Sequence, residues 1–175
     1  RPPHVLDTGG GTGAPTPAIA RAPAPEGRST GADLSQMLID RARERAAAEP
    51  EDIHAMFRSG DASRLDGTGP FDMAVSRFGV MFFDDPMAAF ARIRAAMAPD
   101  APLAAIAWRS PAQNPIKTCA ESAAAPLLPP LPPMRPGAPG QFALADPGHV
   151  RTILSESGWR DAAISPIDIE CSFPE

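Results

Sequence analysis

Several common functions are excluded by what this chain is short of. A single lysine, Lys117, stands among 16 cationic residues, the rest being arginine; the bias reads as coding preference rather than function. The formal net charge is −5 with no basic stripe, so nucleic acid is not expected as the main partner. Cys119 and Cys171 lie far apart, with no His or Cys beside them at metal-ligand spacing, and read as reduced thiols of a cytoplasmic protein. No His/Cys/acid cluster points to a metal. No apolar run approaches the ~20 residues of a membrane span, no secretory segment is visible, and no internal repeat appears. Proline, by contrast, is abundant: 23 of 175 residues, much of it in one late segment. An apolar fraction of 43% with 21% charged residues suits a soluble chain of one domain, 1–175, with a single core.

The stretch that organises the chain is Val5-Leu6-Asp7-Thr8-Gly9-Gly10-Gly11-Thr12-Gly13. A short apolar, β-prone run ends in a carboxylate, three alternating glycines follow, and a helix-capable run occupies 14–21. Glycine reaches positive φ cheaply and lets backbone approach a ligand, with the amides of the helix start facing it. Pro15 and Pro17 fall in the first turn, where their missing N–H groups are tolerated. Further strands are expected over 27–33, 53–59, within 70–78, over 103–108 and from 162 to 169. The 103–108 strand has almost no polar residues, as expected in the middle of a parallel sheet. Helices between them are read from Met37, Leu38, Ala42 and Ala46; from Asp85-Pro86 followed by Met87, Phe90, Ile93 and Met97; and from Asp146-Pro147 with Val150, Ile153 and Leu154 inward and Gly158 as stop. Strands alternating with helices imply βαβ units: an α/β, Rossmann-like three-layer αβα sandwich with a mostly parallel sheet. Residue 1 is Arg, the first strand begins at once, and the chain stops just past an apparent strand; a fragment is expected, lacking N-terminal helices and the last strand.

In an open α/β sheet, ligands sit beyond the carboxyl ends of the strands. Asp7, Asp33 and Asp61 occupy the ends of the first three strands. Asp33, about twenty residues beyond Gly13, suits a ribose diol, as in nicotinamide dinucleotides and other adenosine ligands alike. Each acid has a plainer reading. Asp33 caps the helix from Ser35 onward, Asp61 serves a turn in Ser59-Gly60-Asp61-Ala62, or Asp7 is a buried acid bonded to loop amides.

With Gly31-Ala32-Asp33-Leu34-Ser35-Gln36-Met37-Leu38, Ser59-Gly60-Asp61-Ala62 and Phe71-Asp72-Met73-Ala74-Val75-Ser76-Arg77-Phe78-Gly79-Val80-Met81-Phe82-Phe83, the glycine-rich stretch resembles class I S-adenosylmethionine-dependent methyltransferases. The small-molecule branch that resembles ubiquinone/menaquinone-biosynthesis enzymes is the nearest, over about residues 4–168. The resemblance implies that Asp7 and the backbone of Gly9, Gly11 and Gly13 hold the amino acid part of S-adenosylmethionine. It gives the ribose to Asp33, the adenine to Leu34, Met37, Asp61 and Ala62, and the methionine end to Ser76 and Arg77. Phe78 and Trp108 are candidates for the acceptor pocket. A pyrophosphate facing Asp7 would meet like charge, whereas a sulfonium with an ammonium suits an acidic site. The sequence departs from the family at Gly10, where Cys is common, at Pro15 and Pro17, and at Ala98-Pro99-Asp100-Ala101, which replaces a Pro-Gly-Gly turn.

Methyl transfer needs positioning and exclusion of water more than a base, and neither His4, His54 nor His149 stands out as one. Arg77 orients an acidic acceptor or pairs with a carboxylate. Residues 109–145 form a proline-rich excursion read as a lid or insertion over a small-molecule acceptor; within it Pro130-Leu131-Pro132-Pro133-Met134-Arg135 also fits a PxxPxR adaptor ligand. The leading reading is transfer of a methyl group to a small organic acceptor. The alternatives are an NAD(P)-dependent oxidoreductase and a truncated, inactive domain.

Overall fold

A computed structural model of the chain describes residues 2–21, 27–49, 54–61, 68–127, 129 and 137–170. Five strands, β1 (His4–Thr8), β2 (Arg28–Asp33), β3 (Ala55–Ser59), β4 (Met73–Arg77) and β5 (Leu103–Ile106), form one sheet. Its order is β3-β2-β1-β4-β5 and every pairing is parallel. Five helices accompany it: α1 (Pro15–Arg21), α2 (Gln36–Ala47), α3 (Pro86–Ala95), α4 (Pro115–Ala124) and α5 (Pro147–Glu156). The chain adds strands outward from β1 to β3, then crosses back to lay β4 on the other side of β1. The crevice between the carboxyl ends of β1 and β4 is therefore the switch point of the sheet.

Strand periodicity covers both faces. Leu6 packs with Phe71, Ala74, Ile93 and Met97 toward α3, while its neighbour Asp7 turns the other way and bonds Thr16 of α1. On the α1 and α2 side Ile39, Ala42 and Phe57 pack together; α3 and α5 share Phe90 and Ile153 with Val80, Met81 and Leu144. Asp85 and Asp146 cap α3 and α5, each with proline next, and Gly158 (φ +86°) and Asp100 (φ +56°) take left-handed turns.

Four expectations are corrected. β5 is not central but the edge strand among the described residues, with Ala104, Ala105 and Ile106 exposed; its apolarity alone could not distinguish an edge from a centre. Among the described residues no strand forms over 162–170, where Ile167 and Ile169 stand exposed. The inward face of α2 is Ile39 and Ala42, not Met37, which is 77% exposed. In α3, Ala89 joins Phe90 and Ile93 inside while Met87 points outward. The excursion 109–145 contains α4; its whole PxxPxR stretch, 130–135, and Ile53, Ala62 and Cys171, lie outside the described residues. Among the described residues no helix is long and apolar enough to cross a membrane.

Candidate functional site

The glycine-rich loop is fixed by contacts that admit no side chain. Gly9 (φ +70°) lies against the turn after β4, where an added Cβ would stand 2.5 Å from Gly79 Cα. Gly13 (φ +74°) lies against α2, its Cβ position 2.7 Å from Ala42 Cβ. The Gly9 and Gly10 amides both donate to the Ala32 carbonyl at the end of β2, 2.8 and 3.2 Å away. Around Gly11, by contrast, nothing lies within 4 Å of a Cβ position, so the loop is tight at its two ends and open in the middle. Gly10 faces the Asp7–Thr16 pair, with Asp7 Oδ2 3.1 Å from its Cβ position, so a side chain there needs the pair to give by a few tenths of an ångström.

Asp7 is buried at the end of β1. Its Oδ2 accepts a 2.7 Å bond from the Thr16 hydroxyl, and Oδ1, equally buried, has no hydrogen-bond partner among the described residues. Burial pushes this carboxyl above its ordinary range, against the opposing pull of the Thr16 bond and the Arg77 charge, with Asp33 adding to the rise. Asp33, at the end of β2, is engaged on both oxygens: Gly11 N–H donates to Oδ2 at 3.0 Å and Ser35 N–H to Oδ1 at 2.9 Å. It thus ties the first loop to the second, while Ser35 is the N-cap of α2 and accepts from Leu38 N–H. A carboxylate has about four acceptor positions, so capacity for a diol is left. Asp61 follows β3, half-buried, behind Gly60, whose N–H donates to the Asp33 carbonyl at 2.9 Å.

Next to Asp33, Leu34 and Met37 are 74% and 77% exposed, large apolar side chains standing free at the mouth of the loop. Thr12, Met37, Leu38 and Arg41 also line an open groove of about 590 Å³ along the start of α2. These features fit an adenosine: a carboxylate for hydroxyls, apolar side chains for a flat ring, and an open backbone at Gly11. Ser76, at the end of β4, is buried; its hydroxyl donates to the Thr8 carbonyl at 2.8 Å and accepts from Val80 N–H, so it joins the two strands that flank the switch point. Arg77 beside it is exposed.

Phe78 and Trp108 are brought together from the ends of β4 and β5. Their rings stack 4.5 Å apart and 4° from parallel, and Phe78 holds a left-handed φ of +67°. A bulky residue takes that conformation only where its surroundings impose it. His4 is buried at the start of β1, bonded to Thr30 Oγ1 at 2.8 Å, while His54 and His149 are exposed. Sequence reasoning missed Thr16, which the flanking prolines disguised as a helix start, and Gly79, whose partner Gly9 is distant in the chain. It also missed Lys117 of α4, whose Nζ lies 4.4 Å from the Trp108 ring centroid. Among the described residues no group of His, Cys, Asp and Glu is placed to hold a metal ion.

Comparison with known proteins gives the same fold. A structure described for the conversion of a disulfide bond into a thioacetal group during echinomycin biosynthesis superposes with TM-score 0.67 at 24% identity, over 88% of this chain and 61% of that one. The magnesium protoporphyrin IX methyltransferase of Synechocystis PCC 6803, with bound SAH, gives TM-score 0.61 at 19% identity, over 88% of this chain and 63% of that one. The [4+2]-cyclase SpnF gives TM-score 0.53 at 27% identity, over 58% and 37% respectively. The chain thus spans less than two thirds of the length of these proteins. No curated protein sequence matches it. The sequence model of the family described as Methyltransferase domain matches residues 5–100, the stretch that holds the glycine-rich loop, all three acids and the turn after β4. The chain belongs to that methyltransferase-domain family.

Proposed function

We propose that this chain takes part in the transfer of a methyl group from S-adenosylmethionine to a small organic acceptor. One observation supports the cofactor above the others: Leu34 and Met37, both more than 70% exposed, flank Asp33 at the mouth of the glycine-rich loop. Exposed apolar side chains of that size, next to a carboxylate that suits a ribose, mark a place for an adenosine. In this reading Asp33 holds the ribose, Leu34 and Met37 lie against the adenine with Asp61 and Ala62, and the amides from Gly9 to Gly13 face the amino acid part. Ser76 and Arg77 stand at the methionine end, the Ser76 hydroxyl also joining the Thr8 carbonyl to the Val80 amide. The sulfonium supplies the activation when bound. The chain supplies alignment and a dry wall, for which Phe78 and Trp108 are placed, and the excursion 109–145 acts as the lid.

The family and its methyltransferase neighbours favour the methyl donor over a nicotinamide dinucleotide. Asp7 supports the same choice, since a buried carboxyl at the loop disfavours a pyrophosphate. The exposed thiol of Cys119 goes with a reducing, cytoplasmic setting. Calorimetric titration with S-adenosylmethionine, S-adenosylhomocysteine and NAD tests the reading. The two adenosyl ligands are expected to bind saturably, and Asp33→Ala and Met37→Glu to weaken them about tenfold or more. Met37 is exposed, so its variant leaves the fold intact. Binding of NAD alone would overturn the proposal.

A further inference from the structure

The Phe78–Trp108 pair carries a third layer that the cofactor reading does not use. Lys117, in the first turn of α4, sets its ammonium 4.4 Å from the indole centroid, while the Phe78 ring lies parallel at 4.5 Å. Among the described residues Lys117 has no carboxylate partner, unlike Arg109, which pairs with Asp168, and Arg160, which pairs with Asp100. An ammonium on an aromatic face keeps its charge available. Trp108 follows β5 and Phe78 follows β4, so the charge sits beyond the carboxyl ends of those strands, across the switch point from Asp33 and Asp61.

We infer that Lys117 is the anchor for a carboxylate on the acceptor, and that the acceptors of this site are small organic acids. The inference rests on the methyl-transfer reading for the role of the bound acid, not for its binding. One ammonium matches one negative charge, and the apolar pair beneath it suits the body of an organic acid better than a phosphate, which calls for several donors. The adenosine side of the crevice is lined by acids and would repel the same group, which fixes the orientation of an acidic acceptor.

The chain's single lysine makes the test specific. Reductive ¹³C-methylation keeps the charge of Lys117 and labels, besides the N-terminal amine, only this side chain, so its methyl resonance, assigned by its loss in Lys117→Arg, can be followed by NMR. The ring current of Trp108 is expected to shift that resonance upfield, and Trp108→Leu to return it to the position of a free dimethyl-lysine. Benzoate is expected to move it saturably, while benzamide, of equal shape but no charge, leaves it in place. Equal responses to benzoate and benzamide, or none to either, would overturn the inference. A response to inorganic phosphate as large as that to benzoate would overturn the assignment to a carboxylate. Calorimetry with S-adenosylhomocysteine on the same sample separates the two readings. Cofactor binding with a silent Lys117 removes the anchor alone, and a responsive Lys117 without cofactor binding removes the cofactor reading alone.

Discussion

A buried carboxylate with one oxygen unpartnered costs stability, and Asp7 is such a group. Because burial raises its carboxyl above the ordinary value of about 3.9, the folded chain binds this proton more tightly than the unfolded chain does. The sign follows from linkage. Below both pKa values the group contributes no pH-dependent difference, and as pH rises through the interval above 3.9 the folded state loses stability to the unfolded one. Subtracting the denaturation curves of Asp7→Asn from those of the parent chain should isolate this fall, starting near pH 4 and levelling once the raised value is passed. A difference that rises with pH, or stays flat, would show that the carboxyl is not destabilised in the fold. The three acids were legible in the sequence because each falls at or just past the carboxyl end of a strand, next to a glycine-containing turn or a helix start. Thr16 was not, since the hydroxyl that partners Asp7 comes from a helix whose facing could not be read through two prolines. Lys117 was dismissed as composition because its meaning lies in a ring contact between segments.

Each element of the glycine-rich loop answers to a different neighbour, so its glycines are not equivalent. Gly13 has both a left-handed φ and Ala42 Cβ at 2.7 Å from its Cβ position, whereas Gly11 has the left-handed φ with open space around it. Gly11→Ala should therefore cost about 1–2 kcal/mol, the backbone penalty alone. Gly13→Ala should cost several-fold more, because α2 would have to shift away from the sheet. Urea denaturation of the two variants gives the comparison, and equal losses would mean that α2 yields freely at this point. The loop, its flanking strands and the caps of α3 and α5 were readable, since each depends on local chemistry such as a glycine turn or an Asp-Pro pair. The facing of α2 was not. Met37 and Ile39 are both apolar and two positions apart, and only the packing of Ile39 and Ala42 on Phe57 decides which of them turns inward.

At the scale of the whole molecule the arrangement follows from one crossing. Leaving β3, the chain returns across β1 to form β4, which places the glycine-rich loop and the Phe78–Trp108 pair at the ends of the two strands that flank a single crevice. Alternating strands and helices made the parallel sheet legible, but the order of strands was not, because a run such as Leu-Ala-Ala-Ile fits an edge as well as a centre. The edge position has a consequence. Among the described residues β5 is paired to β4 alone, and Ile106 is 47% exposed beside Ala104 and Ala105. An apolar edge with free backbone groups is a template for another strand, so the chain should self-associate as its concentration rises. Ile106→Lys places a charge on that edge, and at an exposed position its effect on folding stability should stay within about 0.5 kcal/mol. Light scattering after size exclusion should then show the variant shifted to the monomer at concentrations where the parent chain associates. If association is the same in both, β5 is not the adhesive edge, and the apolar surface that joins the copies lies elsewhere, with the exposed Ile167 and Ile169 the next to substitute.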